Sequence, residues 1–395
     1  MKIVFIGPFG LQPKGTMSVR ALPLARALVR RGHTVTILIP PWDDPDRAGR
    51  VWADAGVQVV NVPLPAPIPL FFHIWLTRTL VAQAVALRPD VIHFFKPKAF
   101  AGLAHVALWA LRQLAGDKLP VRLVLDADDW EQAWNAVLPY HSWQKKFFAW
   151  QEQWGLRHAD AVTVASRELA TLAAQVRGQP GIFYAPNGGQ PALQTPATAA
   201  QIEAARQTWQ LGPGPVVLLY SRLAEFGLER IVTLVRRVAG QVPAARWLVV
   251  GQGLRGEHTR LADLLRQAGL SDPVIFTGWL PAESLPAVFA VADVAAFPYD
   301  NSLLNRTKCS VKLIDLLGAG VPVVADAVGQ NCEYIESGVS GVLVQPENDA
   351  AFGAAIVALL QSPEQRRQLG QAAARQIKTN FDWLHLAAEV ERAYR

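Results

Sequence analysis

The sequence predicts an α/β protein made of two doubly wound domains, one after the other along the chain. Strand-like apolar runs alternate with helix-like periodic segments from end to end. The length, 395 residues, suits two domains of roughly 180–200 residues each. Between two such series lies Gly188–Ala200, rich in Gly, Pro, Ala, Gln and Thr and without apolar periodicity, which reads as a linker. The expected boundaries are 1–195 for the first domain and 203–377 for the second, with a C-terminal segment of about 378–395 returning to the first.

In the first series Lys2–Ile6 reads as a strand, Ser18–Arg31 as a helix ended by Gly32, and Thr34–Ile39 as the next strand. Val57–Val60, Val91–Phe94, Val121–Leu125 and Ala161–Ala165 continue it. In the second, strands are expected at Val216–Tyr220, Trp247–Val250, Val274–Thr277, Val294–Phe297, Val321–Ala325 and Gly341–Val344. Helices fit between them at Leu228–Val238, Thr259–Ala268, Leu285–Ala292 and Val311–Gly318, and Phe381–Tyr394 reads as a final helix. Doubly wound sheets bind ligands at the C-terminal ends of their strands, so a central cleft between facing domains is the expected site.

The formal charge of +6 is uneven: up to Gln190 there are 20 Lys and Arg against 13 Asp and Glu, and nine of the 13 Trp fall there. A basic, aromatic-rich first half suits an anionic partner or a membrane surface, and equally suits solvated faces over core tryptophans. Trp143, Phe147, Trp150 and Trp154 recur at helical spacing beside Lys145 and Lys146. Such a stripe either packs its helix onto the domain or lies in a membrane interface near a lipid-linked acceptor. Apolar stretches such as Leu70–Leu76 and Leu103–Leu111 are too short to span a bilayer, and no secretory leader is expected where Lys2 runs straight into a strand. Cys309 and Cys332 have no metal spacing and read as reduced thiols. The expected location is cytoplasmic, with peripheral contact at the inner face of the membrane as the further option; no nucleic-acid partner is expected.

Glycines 7, 10 and 15 follow the first strand and precede a helix opening near Thr16 or Ser18. Their amides suit an anion at a helix start, or simply make a structural turn, and the spacing is not GxGxxG. Arg222 follows a strand in the second half, where its planar fork suits a diphosphate; a surface ion pair with Glu225 or Glu229 is the alternative. Gly251 and the Gly278-Trp279-Leu280 run end two neighbouring strands and offer backbone groups to a base edge. From Asn305 to Ala325, Arg306, Lys308, Ser310, Lys312 and Asp315 surround a helix start, an anion site with a carboxylate one turn further in for ribose hydroxyls. In the first half, Asp126, Asp128, Asp129 and Glu131 crowd a strand end, so one carboxyl is expected to hold its proton more tightly and serve as acid, base or hydroxyl clamp; capping the next helix is the alternative. His93 ends its own strand and is the second candidate, with a structural role as its alternative.

In that order these segments resemble family-4 glycosyltransferases. Arg222, Gly251-Gln252-Gly253, Phe276–Leu280, Ala292-Asp293-Val294, Lys312–Val324, and Gly329 with Glu333 and Gly341 carry the likeness in the second half. Arg31–Val35, Arg88–His93, His158–Val162 and Pro186-Asn187-Gly188 carry it in the first. The resemblance implies a GT-B fold of two Rossmann-like domains, a nucleoside-diphosphate sugar as co-substrate, no metal or other cofactor, and hexosyl transfer with retention to a glycan or lipid-linked acceptor. It implies Arg222 on the diphosphate, Asp315 on the ribose, the backbone of Gly278–Leu280 on the base, the Lys308–Lys312 turn on phosphate, and Gly7–Gly15 closing over the donor. Asp126, Asp128 and His93 join Arg222 as the expected catalytic set.

The chain departs from the family where Ala224-Glu225-Phe226-Gly227 lacks the usual Lys, where Thr307 replaces the first of two acidic residues, and where an acidic cluster replaces a His-Asp pair. A non-catalytic nucleotide-binding or scaffold protein and a nucleotide-sugar epimerase are the alternatives on the same fold.

Overall fold

A computed structural model of the chain describes residues 1–11, 15–68, 70–253 and 255–395. They form two compact units: Met1–Gly188 with Thr307–Cys309 and Asp382–Arg395, and Gly189–Arg306 with Ser310–Phe381.

Among the described residues, unit 1 holds eight strands: β1 (Lys2–Ile6), β2 (Thr34–Ile39), β3 (Val51–Asp54), β4 (Val57–Asn61), β5 (Val91–Phe95), β6 (Arg122–Ala127), β7 (Ala161–Val164) and β8 (Ile182–Tyr184). They are ordered β3-β4-β2-β1-β5-β6-β7-β8, all parallel except the β3–β4 pair. Strands covered on both faces read as unbroken apolar runs, which is why β1, β2 and β5 were legible. β3 was not: it pairs at the edge through a tight turn at Ala55 and Gly56, both with positive φ, and its half-exposed residues carry no apolar run. Helices α1 (Leu22–Arg30), α2 (Phe71–Ala86), α3 (Ala99–Ala115), α4 (Glu131–Val137), α5 (Ser142–His158) and α6 (Arg167–Arg177) make the connections.

The helix expected over Ser18–Arg31 begins instead with a π-helical turn, Met17–Ala21, that runs into α1. A widened turn of this kind commonly marks a functional site. Gly7 lies closely under this turn: a Cβ there would lie 2.6 Å from the Met17 sulfur and 2.9 Å from Ile39 Cγ2.

Unit 2 holds β9 (Val216–Tyr220), β10 (Arg246–Val250), β11 (Val274–Gly278), β12 (Val294–Phe297), β13 (Val323–Asp326) and β14 (Val342–Val344) in one parallel sheet, ordered β11-β10-β9-β12-β13-β14. β13 starts later than the expected Val321, since Pro322 has no amide for the ladder. Its helices are α7 (Ala199–Thr208), α8 (Leu228–Gln241), α9 (Glu257–Gln267), α10 (Leu285–Val291), α11 (Leu303–Thr307, whose last residue belongs to unit 1), α12 (Val311–Gly318), α13 (Asn331–Tyr334), α14 (Asp349–Gln361) and α15 (Pro363–Asn380). The final helix, α16 (Trp383–Ala393), belongs to unit 1, where Trp383, Leu386, Ala387 and Val390 are buried in the core shared with α1.

In each sheet the chain reverses direction beside its first strand, between β1 and β5 in unit 1 and between β9 and β12 in unit 2. Such a reversal opens a crevice at the C-terminal strand edge. Among the described residues no helix is long and apolar enough to cross a membrane.

Candidate functional site

In unit 1 the loops after β1, β5 and β6 meet beside the reversal point. The Gly15 carbonyl accepts the amides of Ser18 and Val19 and so opens the helical segment; the Gly10 amide donates to Asp43. Of the expected Gly7–Gly15 loop, residues 12–14 lie outside the described residues. The hydroxyl of Thr16 donates to Asp128 Oδ2 at 3.2 Å, tying this loop to the acidic segment after β6.

Asp126 and His93, both expected at the reacting centre, are interior instead. Asp126 has no exposed surface, and Arg20 grips both its oxygens at 2.7 Å while the Thr163 hydroxyl donates to one of them at 2.6 Å. Burial pushes its carboxyl up, but the Arg20 guanidinium overrides this and holds it below the ordinary range. Arg20 also reaches Asn187 and the Ala185 carbonyl. His93 is equally buried, its ring nitrogens on the Tyr394 and Thr163 hydroxyls at 2.8 and 3.2 Å. Burial drives its pKa down to about 4, so the ring is neutral at pH 7. Both residues brace the strand ends that carry the site, a position set by long-range partners that no local motif announces.

Asp128 of the acidic run is buried in a dense ionic cluster. Lys96 lies 2.8 Å from Asp128, 3.0 Å from Asp129 and 3.0 Å from Glu131. Lys98 adds contacts to Glu131 and Asn135. Burial, then the repulsion of Asp129 and Asp126, pushes the Asp128 carboxyl up to about 6 against the pull of Lys96. Lys96 itself loses from burial, yet its three carboxylates hold it well above the ordinary lysine range. This lysine was not singled out in the sequence as part of the acidic cluster; the signal was the Lys96-Pro97-Lys98 run directly after β5, with Lys96 at a φ of 61°. Glu152 closes the cluster from behind, accepting the amides of Glu131 and Gln132, and burial with the nearby Glu131 pushes it up to about 8. Lys308, expected with the second domain, belongs to unit 1, its ammonium 5.5 Å from the centre of the Trp134 ring.

In unit 2 the reversal between β9 and β12 gathers a different set. Arg222 lies two residues past the end of β9 and is exposed. Neither carboxylate weighed as its ion-pair partner takes that role: Glu225 accepts from Ser221 and the Ala224 amide, and Glu229 pairs with Arg260. The ends of β9, β10 and β11 are stitched together, with the Ser221 amide on the Val250 carbonyl and the Gly251 amide on the Gly278 carbonyl. A Cβ at Gly251 would lie 2.1 Å from the Ser221 carbonyl oxygen, and its φ is 118°, so only glycine fits. Beyond Gly278, Trp279 is 73% exposed and Leu280 half-buried.

From the β12 side, Asn305 donates to the Glu225 and Asp300 carbonyls, fastening α11 and its Arg306 to the loop after β9. Ser310 precedes α12, whose Lys312 ammonium lies 4.8 Å from the centre of the Tyr220 ring. Asp315 is 3% exposed and takes both its hydrogen bonds from Gln190, at 3.1 and 3.2 Å. Burial pushes its carboxyl up to about 8, with Gln190 and Lys312 opposing. Unit 2 thus brings Arg222, Arg306, Ser310, Lys312 and Asp315 to one strand edge, with Gly251 and Gly278 beside them: three cations and one proton-bearing carboxyl.

With this geometry in hand, comparison with known proteins is specific. The family described as glycosyl transferase 4-like domain matches residues 15–188, and that described as glycosyl transferases group 1 matches residues 214–362. A GDP-mannose-dependent alpha-(1-6)-phosphatidylinositol monomannoside mannosyltransferase of Mycobacterium tuberculosis is 26% identical over 93% of this chain and 91% of its own length. Sucrose-phosphate synthase of Thermosynechococcus elongatus superposes with a TM-score of 0.75 at 22% identity, covering 100% of this chain and 98% of its own. Anabaena HepE in complex with UDP-glucose does so with a TM-score of 0.69 at 20% identity, covering 99% and 98%. The chain belongs to the group-1, family-4 glycosyltransferases of GT-B fold and is an enzyme that transfers a sugar.

Proposed function

We infer that the donor is a nucleoside-diphosphate sugar held by unit 2, and that transfer is of a hexose, proceeds with retention and needs no metal. The observation that carries this is the convergence of Arg222, Lys312 and the start of α12 beside the β9–β12 reversal, with the stitched Gly251 and Gly278 ends next to it. A planar guanidinium, an ammonium and free helical amides are what a departing diphosphate requires, and they supply the charge a metal would otherwise bring. The base lies along Gly278–Leu280. The ribose hydroxyls meet Asp315, taking over the contacts that Gln190 makes now. The complex of HepE with UDP-glucose and the GDP-mannose dependence of the mycobacterial relative support a donor of this class.

Unit 1 holds the acceptor, a glycan or lipid-linked sugar, by one hydroxyl at Asp128. The acceptor oxygen approaches the anomeric carbon on the face from which the diphosphate departs, so the new bond forms as the old one breaks and the configuration is kept. The hydroxyl proton passes to Asp128, whose pKa of about 6 suits a base near neutrality. Lys96 keeps that carboxylate fixed. Below pH 6 the carboxylate is protonated and the rate should fall.

The test is a transfer assay with the full chain against a panel of UDP-, GDP- and ADP-sugars, with and without EDTA. One donor should turn over undiminished by EDTA, the product anomer should match the donor's, and Arg222→Ala should lower the rate at least about tenfold. No turnover with any donor, or an Arg222→Ala variant as fast as the parent, would contradict the proposal.

A further inference from the structure

Helices α2 and α5 of unit 1 each carry an apolar stripe that is largely exposed among the described residues. On α2 it is Phe71, Ile74 and Trp75, with Ile74 60% exposed. On α5 it is Trp143, Phe147 and Trp150, with Trp143 67% exposed. Both sets recur at the three- and four-residue spacing of one helix face. Both are also stacked along their own helix, Phe71 on Trp75 and Phe147 on Trp150, with ring centroids 5.8 Å apart in each case. The stripe on α5 therefore does not serve mainly to pack that helix: only Trp154, at its inner end, is engaged, edge-on to Trp109 of α3.

Charge and packing favour one occupant for this face. Helix α3 packs against both α2 and α5, so the three helices make one continuous layer. They carry a single acidic residue, Glu152, which is buried, whereas Arg78 and Lys146 are exposed within the two stripes. A face that mixes Trp and Phe with bases and no exposed acid matches the interface of an anionic bilayer, where rings settle at headgroup depth and cations meet phosphates. A protein partner or a second copy would call for no such exclusion of acid. Both helices also start at the C-terminal edge of the sheet, the edge that carries Asp128. The layer runs on to it through aromatic contacts: Phe72 and His73 of α2 against Phe100, and Tyr140 and Phe148 under the Lys98 ammonium at 4.9 and 5.0 Å.

We propose that the outer face of α2, α3 and α5 is a membrane-docking surface that seats unit 1 on an anionic phospholipid bilayer. The aromatic stripes enter the interface, and Arg78 and Lys146 pair with lipid phosphates. Docking this way brings the acceptor-side cluster to the lipid surface, where a lipid-linked acceptor hydroxyl is presented. That last step rests on the proposed acceptor, but the docking itself needs no sugar transfer.

The test is co-sedimentation of the full chain with vesicles of phosphatidylcholine alone and with phosphatidylglycerol admixed. Binding should require the anionic lipid and weaken with salt. The double variant Trp75→Ser/Trp150→Ser should bind at least about tenfold more weakly with an unchanged melting temperature. Arg78→Gln/Lys146→Gln, which disturbs no packing, should lose the preference for anionic lipid. Indifference of the parent to phosphatidylglycerol, or variants that bind as it does, overturns the proposal. A dimer in gel filtration that the tryptophan variant dissociates, with no vesicle binding, overturns it in favour of a second copy.

Discussion

Both units place charged side chains at the C-terminal edge of a parallel sheet, beside the strand where the order reverses, yet they differ in which cation is left at the surface. In unit 1 the cations are spent internally: Arg20 is chelated by Asp126, and Lys96 sits among three carboxylates. In unit 2 Arg230 is likewise held by Asp326 and Asp349, but Arg222 stands at the surface. A saturated cluster offers fixed hydrogen-bond partners with little net field, which suits a neutral hydroxyl compound. Cations presented toward solvent at a helix start suit an anion. The same fold, used twice, differs at this one place: an ammonium buried among carboxylates in unit 1, an exposed guanidinium in unit 2.

The sharpest way to break this contrast is to remove the cation on which unit 1 depends. Lys96→Met leaves Asp128, Asp129 and Glu131 close together and poorly compensated, and should cost about 3–5 kcal/mol of stability in urea unfolding. A loss below about 1 kcal/mol would mean that the cluster is solvated and not saturated. Arg222→Ala, at the exposed counterpart, should leave the unfolding midpoint where it is and act only on turnover.

A subtler difference lies in protonation. Asp315 carries a pKa of about 8 in the fold against 3.8 as a free side chain. The native state therefore holds this proton more tightly, and its contribution to stability is lost as pH rises from about 4 to 8. Asp315→Asn, uncharged throughout, should flatten that slope and gain about 1–2 kcal/mol over the parent above pH 8. Parallel pH profiles of the two proteins would place Asp315 in a more polar setting than its burial implies.

What could be read in advance followed from locality. Strands β1, β5, β9 and β10 are contiguous apolar runs, and Arg222, Gly251 and Asp315 are defined by the strand or helix they adjoin. The edge strand β3 escaped because one exposed face erases its run. Arg20 escaped because its partner Asp126 lies 106 residues away, and nothing near either residue marks the pair. The same distance effect misplaced His93, whose partner Tyr394 is 301 residues on. Lys308 reads locally as part of a basic turn with Lys312, but the unit boundaries at Arg306 and Ser310 assign the two lysines to different bodies.

The central claim is that unit 2 is an anion site built for a diphosphate. Calorimetric titration of the full chain with UDP, GDP and ADP tests it without an acceptor or a sugar. At least one nucleoside diphosphate should bind, its monophosphate should bind more weakly, and Arg222→Ala should weaken the diphosphate at least about tenfold while sparing the monophosphate. If Arg222→Ala leaves every nucleotide affinity unchanged, the diphosphate is held elsewhere and the account fails.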